Sequence, residues 1–377
     1  MDSAEQPNKP KCVLVLQGGG AMGAYHIGAF QAMREQAFEP DWVCGISMGS
    51  INGAIIAGNA PERRLEQLET FWETISWPSL SWPTIPWLPP IPETGVVKVE
   101  TLEHKLSFAT TLLGGQPGFF TPRVVNPYFA APGLAATSFY DTAPLYETLA
   151  ATVDFDRLNA NSTRLSVGAT DIETGSLIFF DTQKMVGRFG PEHVVASGSL
   201  PPGFPPTPIG GKFYWDGGCV SNSPLEAVQH DIPPGHSVIF IIDLWSAKGP
   251  APDNMEAVAW RAKQIQYASA TSQHVEAMAS KLNLRHAKQL LDDPKADLSH
   301  ERIDLVHVIY HPEQDQIPSS DAEFSRASIA ERRKAGLADM RRALAESPWH
   351  RVPKPANIRC MVHRVTRDGV KTLDDSK

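Results

Sequence analysis

The sequence is short of cysteine, has no dense run of one charge and carries no long apolar stretch, and each shortage removes a class of protein. Its 4 cysteines, Cys12, Cys44, Cys219 and Cys360, are scattered without C-x-x-C spacing, which argues against a disulfide frame or zinc site and suits free thiols in a reducing compartment. Lys plus Arg total 34 against 42 Asp plus Glu, a formal net charge of -8, and nowhere do basic residues crowd enough to neutralise several phosphates. Nucleic acid is therefore not expected as a partner. The apolar run Val13-Leu14-Val15-Leu16 is far below the roughly 18 residues of a membrane-spanning helix, and no other stretch reaches that length. The first residues are polar and partly acidic, without the basic and apolar regions of a secretory signal. A cytoplasmic protein is expected, with peripheral membrane contact left open.

What is present is ordinary globular material: 377 residues, 42% apolar and 20% charged, enough for one large domain or a domain with an appendage. Residues 12–16 form a short β-type run that stops at Gly18-Gly19-Gly20-Ala21-Met22-Gly23, and residues 24–35 follow with helical spacing. The pattern repeats at Trp42-Val43-Cys44, Gly45-Ile46-Ser47-Met48-Gly49 and a small-residue helix over 51–57. Two strand-turn-helix units predict an α/β fold, a mostly parallel central sheet flanked by helices. A surface helix is expected over 61–73, two strands over 165–180, buried strands over 238–243 and 303–309, and helices over 255–291 and 324–344.

Between these lies an irregular insertion, 77–140. Its first part interleaves Trp77, Trp82 and Trp87 with prolines that forbid helix or central strand, and its second part is rich in glycine, proline and aromatics with almost no charge. Tryptophan favours the membrane-water boundary, so the insertion reads either as a flap making peripheral membrane contact or as a proline-braced loop packed on its own domain.

Gly45-x-Ser47-x-Gly49 matches a nucleophile elbow, in which a tight strand-to-helix turn lifts a serine hydroxyl clear of the sheet. The Gly18–Gly23 run could cradle a pyrophosphate or offer N–H groups to an oxyanion; the dinucleotide reading is weak, because Asp41 precedes its strand instead of ending it. Trp215-Asp216-Gly217-Gly218 places an aspartate on a glycine turn, which by itself could be only a turn former. None of the 12 histidines stands in a recognisable catalytic context.

These three blocks in this order, with Ala196-Ser197-Gly198-Ser199-Leu200-Pro201-Pro202-Gly203 ahead of the third, resemble the patatin-like phospholipase family over about residues 12–230. The resemblance implies a serine acyl-ester hydrolase of lipid acyl hydrolase, phospholipase A or esterase type, with no metal or organic cofactor. It implies Ser47 as nucleophile, Asp216 as general base and the Gly18, Gly19 and Gly20 backbone as oxyanion hole, with Gly23, Gly45, Gly49, Gly217 and Gly218 supporting the turns. Met22 departs from the family pattern, which often has a basic residue there. The same dyad would serve an acyltransferase, and a non-catalytic lipid-binding protein could keep the fold. The expected organisation is a flexible 1–11, a catalytic domain 12–230 and an α/β extension 231–377 packed on it.

Overall fold

The structure, a computed structural model, describes residues 9–77, 111–295, 297–298, 300–312 and 320–373. Trp82 and Trp87 lie outside the described residues. In chain order the first half contains β1 (Lys11–Leu16), α1 (Tyr25–Glu35), β2 (Trp42–Ile46), α2 (Met48–Gly58), α3 (Arg64–Thr74), β3 (Thr121–Pro122), β4 (Tyr140–Asp141), α4 (Ala143–Thr152), α5 (Phe155–Asn159), β5 (Arg164–Asp171) and β6 (Ser176–Asp181). The second contains α6 (Pro191–Ser197), β7 (Thr207–Ile209), β8 (Lys212–Asp216), α7 (Leu225–Gln229), β9 (His236–Asp243), α8 (Met255–Asp292), β10 (Arg302–Ile309), α9 (Arg326–Glu346), α10 (Pro348–Arg351), β11 (Cys360–Thr366) and β12 (Gly369–Leu373).

One sheet runs in the order β12-β11-β10-β9-β1-β2-β5-β8-β7, with β6 also on β5. Its centre, β11 through β5, is parallel, and antiparallel strands are confined to the two ends. β9 pairs with β1 from Lys11↔Ser237 to Leu16↔Ile242, so residues on either side of position 231 share one sheet.

Alternation along β1 explains the layers. Cys12, Leu14 and Leu16 join one core with α1, α2 and Trp349, whereas Val13 and Val15 join another with Val275, Met278 and Leu282 of α8. Leu68 and Trp72 of α3, four residues apart and so on one face of the helix, are buried in the first core.

The β11–β12 hairpin has no counterpart in the sequence reading. His363 and Arg364 interrupt the apolar alternation of β11, and only the folded sheet supplies their partners: His363 Nε2 lies 2.8 Å from Asp304 Oδ1 and Arg364 reaches Glu276 at 3.1 Å. Asp304 also receives His236 Nε2 at 2.8 Å and Arg302 Nε at 2.7 Å. Burial alone would raise the Asp304 carboxyl, yet these hydrogen bonds outweigh it and hold the group well below the usual carboxylate range. Its contribution to stability is thus present above the unfolded carboxyl pKa and lost as pH falls through the folded one. Asp304→Ala removes a buried acceptor shared by three donors, the buried His363 and the half-buried His236 and Arg302. We expect it to cost about 3–5 kcal/mol of unfolding free energy in denaturant titration, and an unchanged midpoint and slope would contradict this.

Candidate active site

The sheet register brings Ser47 and Asp216 together. β2 occupies one edge of β5 up to Ile46↔Gly168, and β8 takes over that same edge at Ala169↔Asp216. The residue after Ile46 therefore meets the last residue of β8, although 169 positions separate them in the chain. Both lie where β1, β2 and β9 end, the edge at which α/β sheets commonly place their sites.

Ser47 sits at φ 55° and ψ -127°, a conformation that a non-glycine residue adopts only under constraint. The constraint is built from neighbours. Its N–H donates to Ser197 Oγ at 2.9 Å, Ser197 Oγ donates to Gly168 O at 2.6 Å, and Ser50 Oγ donates to Ser47 O at 2.7 Å. Gly49 allows the turn to close, because a Cβ there would overlap the Leu16 carbonyl. α2 starts directly after Ser47, so its positive N-terminal end lies beside that residue.

Asp216 is 1% exposed. Its backbone is fixed by N–H donation to Ser199 O at 3.0 Å and by Thr170 Oγ1 donating to its carbonyl at 2.9 Å. Its Oδ1 accepts the Gly218 N–H at 2.7 Å, and the Ser47 side chain acts on the carboxylate to lower its pKa. Burial pushes the carboxyl from the usual 3.8 up to about 7, against the opposing pull of the Ser47 side chain and the Gly218 N–H.

The glycine turn is clamped from several sides. Gly18 N–H donates to Asn222 O at 3.2 Å, while Gly18 O accepts Asn222 Nδ2 at 2.8 Å and Trp245 Nε1 at 3.0 Å. Asp243, bridged to His307 Nε2 at 3.0 Å, holds the Trp245 N–H at 2.9 Å. Gly20 is left-handed at φ 52°, and a Cβ on it would overlap the Asp321 carbonyl. Asp321 is in turn paired with Lys263, whose Nζ stands 5.6 Å from the Trp245 ring centroid. Asn222, Trp245, Lys263 and Asp321 had no signal in the sequence, since each acts on the turn from a distant part of the chain. Gly20→Ala should shift the turn and lower kcat about 10²-fold or more on a soluble ester, and wild-type turnover in that variant would show the turn to be uninvolved.

Among the described residues no histidine hydrogen-bonds Ser47 or Asp216. His26 is buried beside Asn52 Nδ2 at 3.0 Å, and burial lowers its pKa to about 3, so its ring stays neutral. His193 Nδ1 lies 3.0 Å from the Gly190 N–H at the start of α6. Trp77 is half-buried, and its backbone N–H donates to the Phe324 carbonyl at 3.1 Å. No helix among the described residues is long and apolar enough to cross a membrane.

Comparison with known proteins matches two family models, one described as patatin-like phospholipase over residues 14–228 and one as patatin phospholipase over residues 265–356. A patatin-like phospholipase domain-containing protein of Caenorhabditis elegans is 41% identical over 59 residues, 16% of this chain and 4% of its own length. Patatin-like phospholipase domain-containing protein 6 of Homo sapiens is 42% identical over 59 residues, likewise 16% of this chain and 4% of its own length. The chain thus spans a small part of the curated relatives it matches. VipD from Legionella pneumophila is a structural match at 13% identity, TM-score 0.31, covering 88% of this chain and 67% of that one. With a family model matched from residue 14 to residue 228, the chain belongs to the patatin-like phospholipase family.

Proposed function

We infer that the chain is a carboxylic ester hydrolase acting on acyl lipids through a Ser47–Asp216 dyad. The observation that carries this reading is the register that sets a hydroxyl on a strained elbow beside a buried carboxylate whose pKa stands at about 7. A carboxylate near 4 is too weak a base for a hydroxyl, and burial brings it close to the pH at which it must work.

In the first half-reaction Asp216 accepts the Ser47 proton as Oγ bonds to the ester carbonyl carbon. The resulting oxyanion is met by backbone N–H groups. Gly18 spends its N–H on Asn222 O, and among the described residues the N–H groups of Gly19 and Gly20 have no acceptor, so these two are the donors we assign. Each such donor is worth about 3 kcal/mol in the transition state. The alcohol departs with the proton from Asp216, leaving Ser47 acylated. Water then gives a proton to Asp216 while its oxygen attacks the acyl carbon, and Ser47 recovers its proton as the acid leaves.

Two aromatic groups lie on the segments that hold the site. Phe204, on the loop after Ser199, packs on Phe120 at 5.0 Å, and Tyr267 packs on Trp245 at 4.9 Å, surfaces suited to an acyl chain. The test is a p-nitrophenyl ester series from short to long acyl chains. Turnover with a chain-length optimum and release of the free acid is expected; a folded protein inert toward every ester contradicts the reading.

A further inference from the structure

We propose that the hairpin between β3 and β4 is a lipid-surface anchor that presents the mouth of the site to a bilayer. The proposal rests on the ester hydrolase reading for its purpose, but not for its observations.

From Val124 to Tyr140 the chain contains no charged residue. Side chains that would normally be buried stand in solvent: Val124 is 103% exposed, Phe129 86% and Tyr128 83%, with Val125 and Leu134 exposed beside them. Exposed apolar residues are ordinary when scattered, but a contiguous set on one short element marks a contact surface.

The set is held rigidly. Thr121↔Asp141 and Pro122↔Tyr140 pair antiparallel, and Arg123 closes the base by binding Ser138 Oγ at 3.1 Å and Asp141 Oδ2 at 3.2 Å. That ion pair also consumes the charge at the stem of the hairpin. Beneath it, Phe120 contacts Tyr140 at 4.7 Å and Phe204 at 5.0 Å.

The hairpin is joined to the site. Phe139 N–H donates to Pro202 O at 3.2 Å, Tyr140 N–H donates to Gly203 O at 3.0 Å, and Ser199 O in the same loop accepts the Asp216 N–H at 3.0 Å. Leu200, 43% exposed, continues the apolar surface along that loop.

The chemistry of the occupant follows from what the surface lacks. A protein interface is typically rimmed by charge and rich in Arg, and an anionic surface would call for Lys and Arg; the hairpin tip offers neither. Tyr and Phe with aliphatic neighbours suit the headgroup-acyl boundary of an uncharged bilayer, and a chain of net charge -8 gains nothing from an anionic one. The ester of a membrane lipid lies at that depth.

The test is co-sedimentation with phosphatidylcholine vesicles, comparing wild type with the double variant Tyr128→Ser/Phe129→Ser. Both side chains are exposed, so the fold and turnover of a short soluble ester should be unchanged. We expect vesicle partition to fall at least about tenfold, and wild-type binding to persist at about 0.5 M salt, where charge attraction is screened within a few Å. Wild type that does not bind, equal partition of the two proteins, or binding abolished by salt would overturn the proposal. So would a dimer in light scattering that the double variant dissociates without any vesicle binding, which would make the patch a protein interface. Absence of soluble-ester turnover in wild type would sink the hydrolase reading alone, because vesicle partition is measured without catalysis.

Discussion

Ser47→Ala should abolish ester turnover, lowering kcat by about 10⁴-fold or more while leaving the thermal midpoint near or slightly below that of wild type. The loss follows from the mechanism: with no Oγ there is no acyl-enzyme, and the donors of the glycine turn alone give little rate. The second half of the expectation follows from the elbow. A serine at φ 55° stores strain, and alanine neither relieves nor greatly worsens it. The hydroxyl, however, eases the burial of the Asp216 carboxylate, so its loss costs a little stability. Kinetics with circular dichroism would check both halves, and substantial turnover in a folded Ser47→Ala protein would remove Ser47 from the chemistry.

Asp216→Asn should cost about 10³–10⁴-fold in kcat, because the amide keeps the shape of the carboxylate but cannot take a proton. The pH profile of wild type carries the same information. Since the base must be ionised and its pKa stands at about 7, kcat/KM should rise with pH through that value and level off above it. An inflection near the usual 3.8 of an aspartate would contradict the buried base.

Stability must move the other way. Below the unfolded pKa both states are protonated and Asp216 costs nothing. Between the usual 3.8 and about 7 the unfolded chain releases its proton while the folded one retains it, so stability falls as pH rises, and above about 7 the penalty stays constant. At about 1.4 kcal/mol per pKa unit the penalty is on the order of 4 kcal/mol. Asp216→Asn should therefore stabilise the protein at neutral pH while silencing it, as expected where a site is built at the expense of the fold. A neutral-pH midpoint below that of wild type would show the carboxylate to be structural.

The sequence made the site partners visible one at a time and left their meeting to the fold. Glycines bracketing Ser47 and following Asp216 signalled tight turns, because only close backbone approach demands them, and the short apolar runs of β1, β2, β5, β9 and β10 signalled strands buried on both faces. The handover of the β5 edge from β2 to β8 is a tertiary event between elements far apart in the chain, and no local pattern records it. The support from the second half was equally hidden. Asp321 meets Gly20 through a carbonyl, which any residue possesses, and Lys263 reads as one more solvated cation on a long helix until its partner is known. The hairpin beyond β3 looked irregular because its prolines and glycines suppress periodicity, while its lack of charge, plain in the sequence, is the feature that matters at its surface.

The most direct measurement of the central claim is intact-mass and peptide mapping after reaction with a fluorophosphonate, run on wild type and Asp216→Asn together. The account predicts one adduct per chain in wild type, placed on Ser47, and labelling slowed by orders of magnitude in the variant because the hydroxyl has lost its base. No adduct on folded wild type, an adduct on another residue, or equal labelling rates in the two proteins would contradict a Ser47–Asp216 dyad.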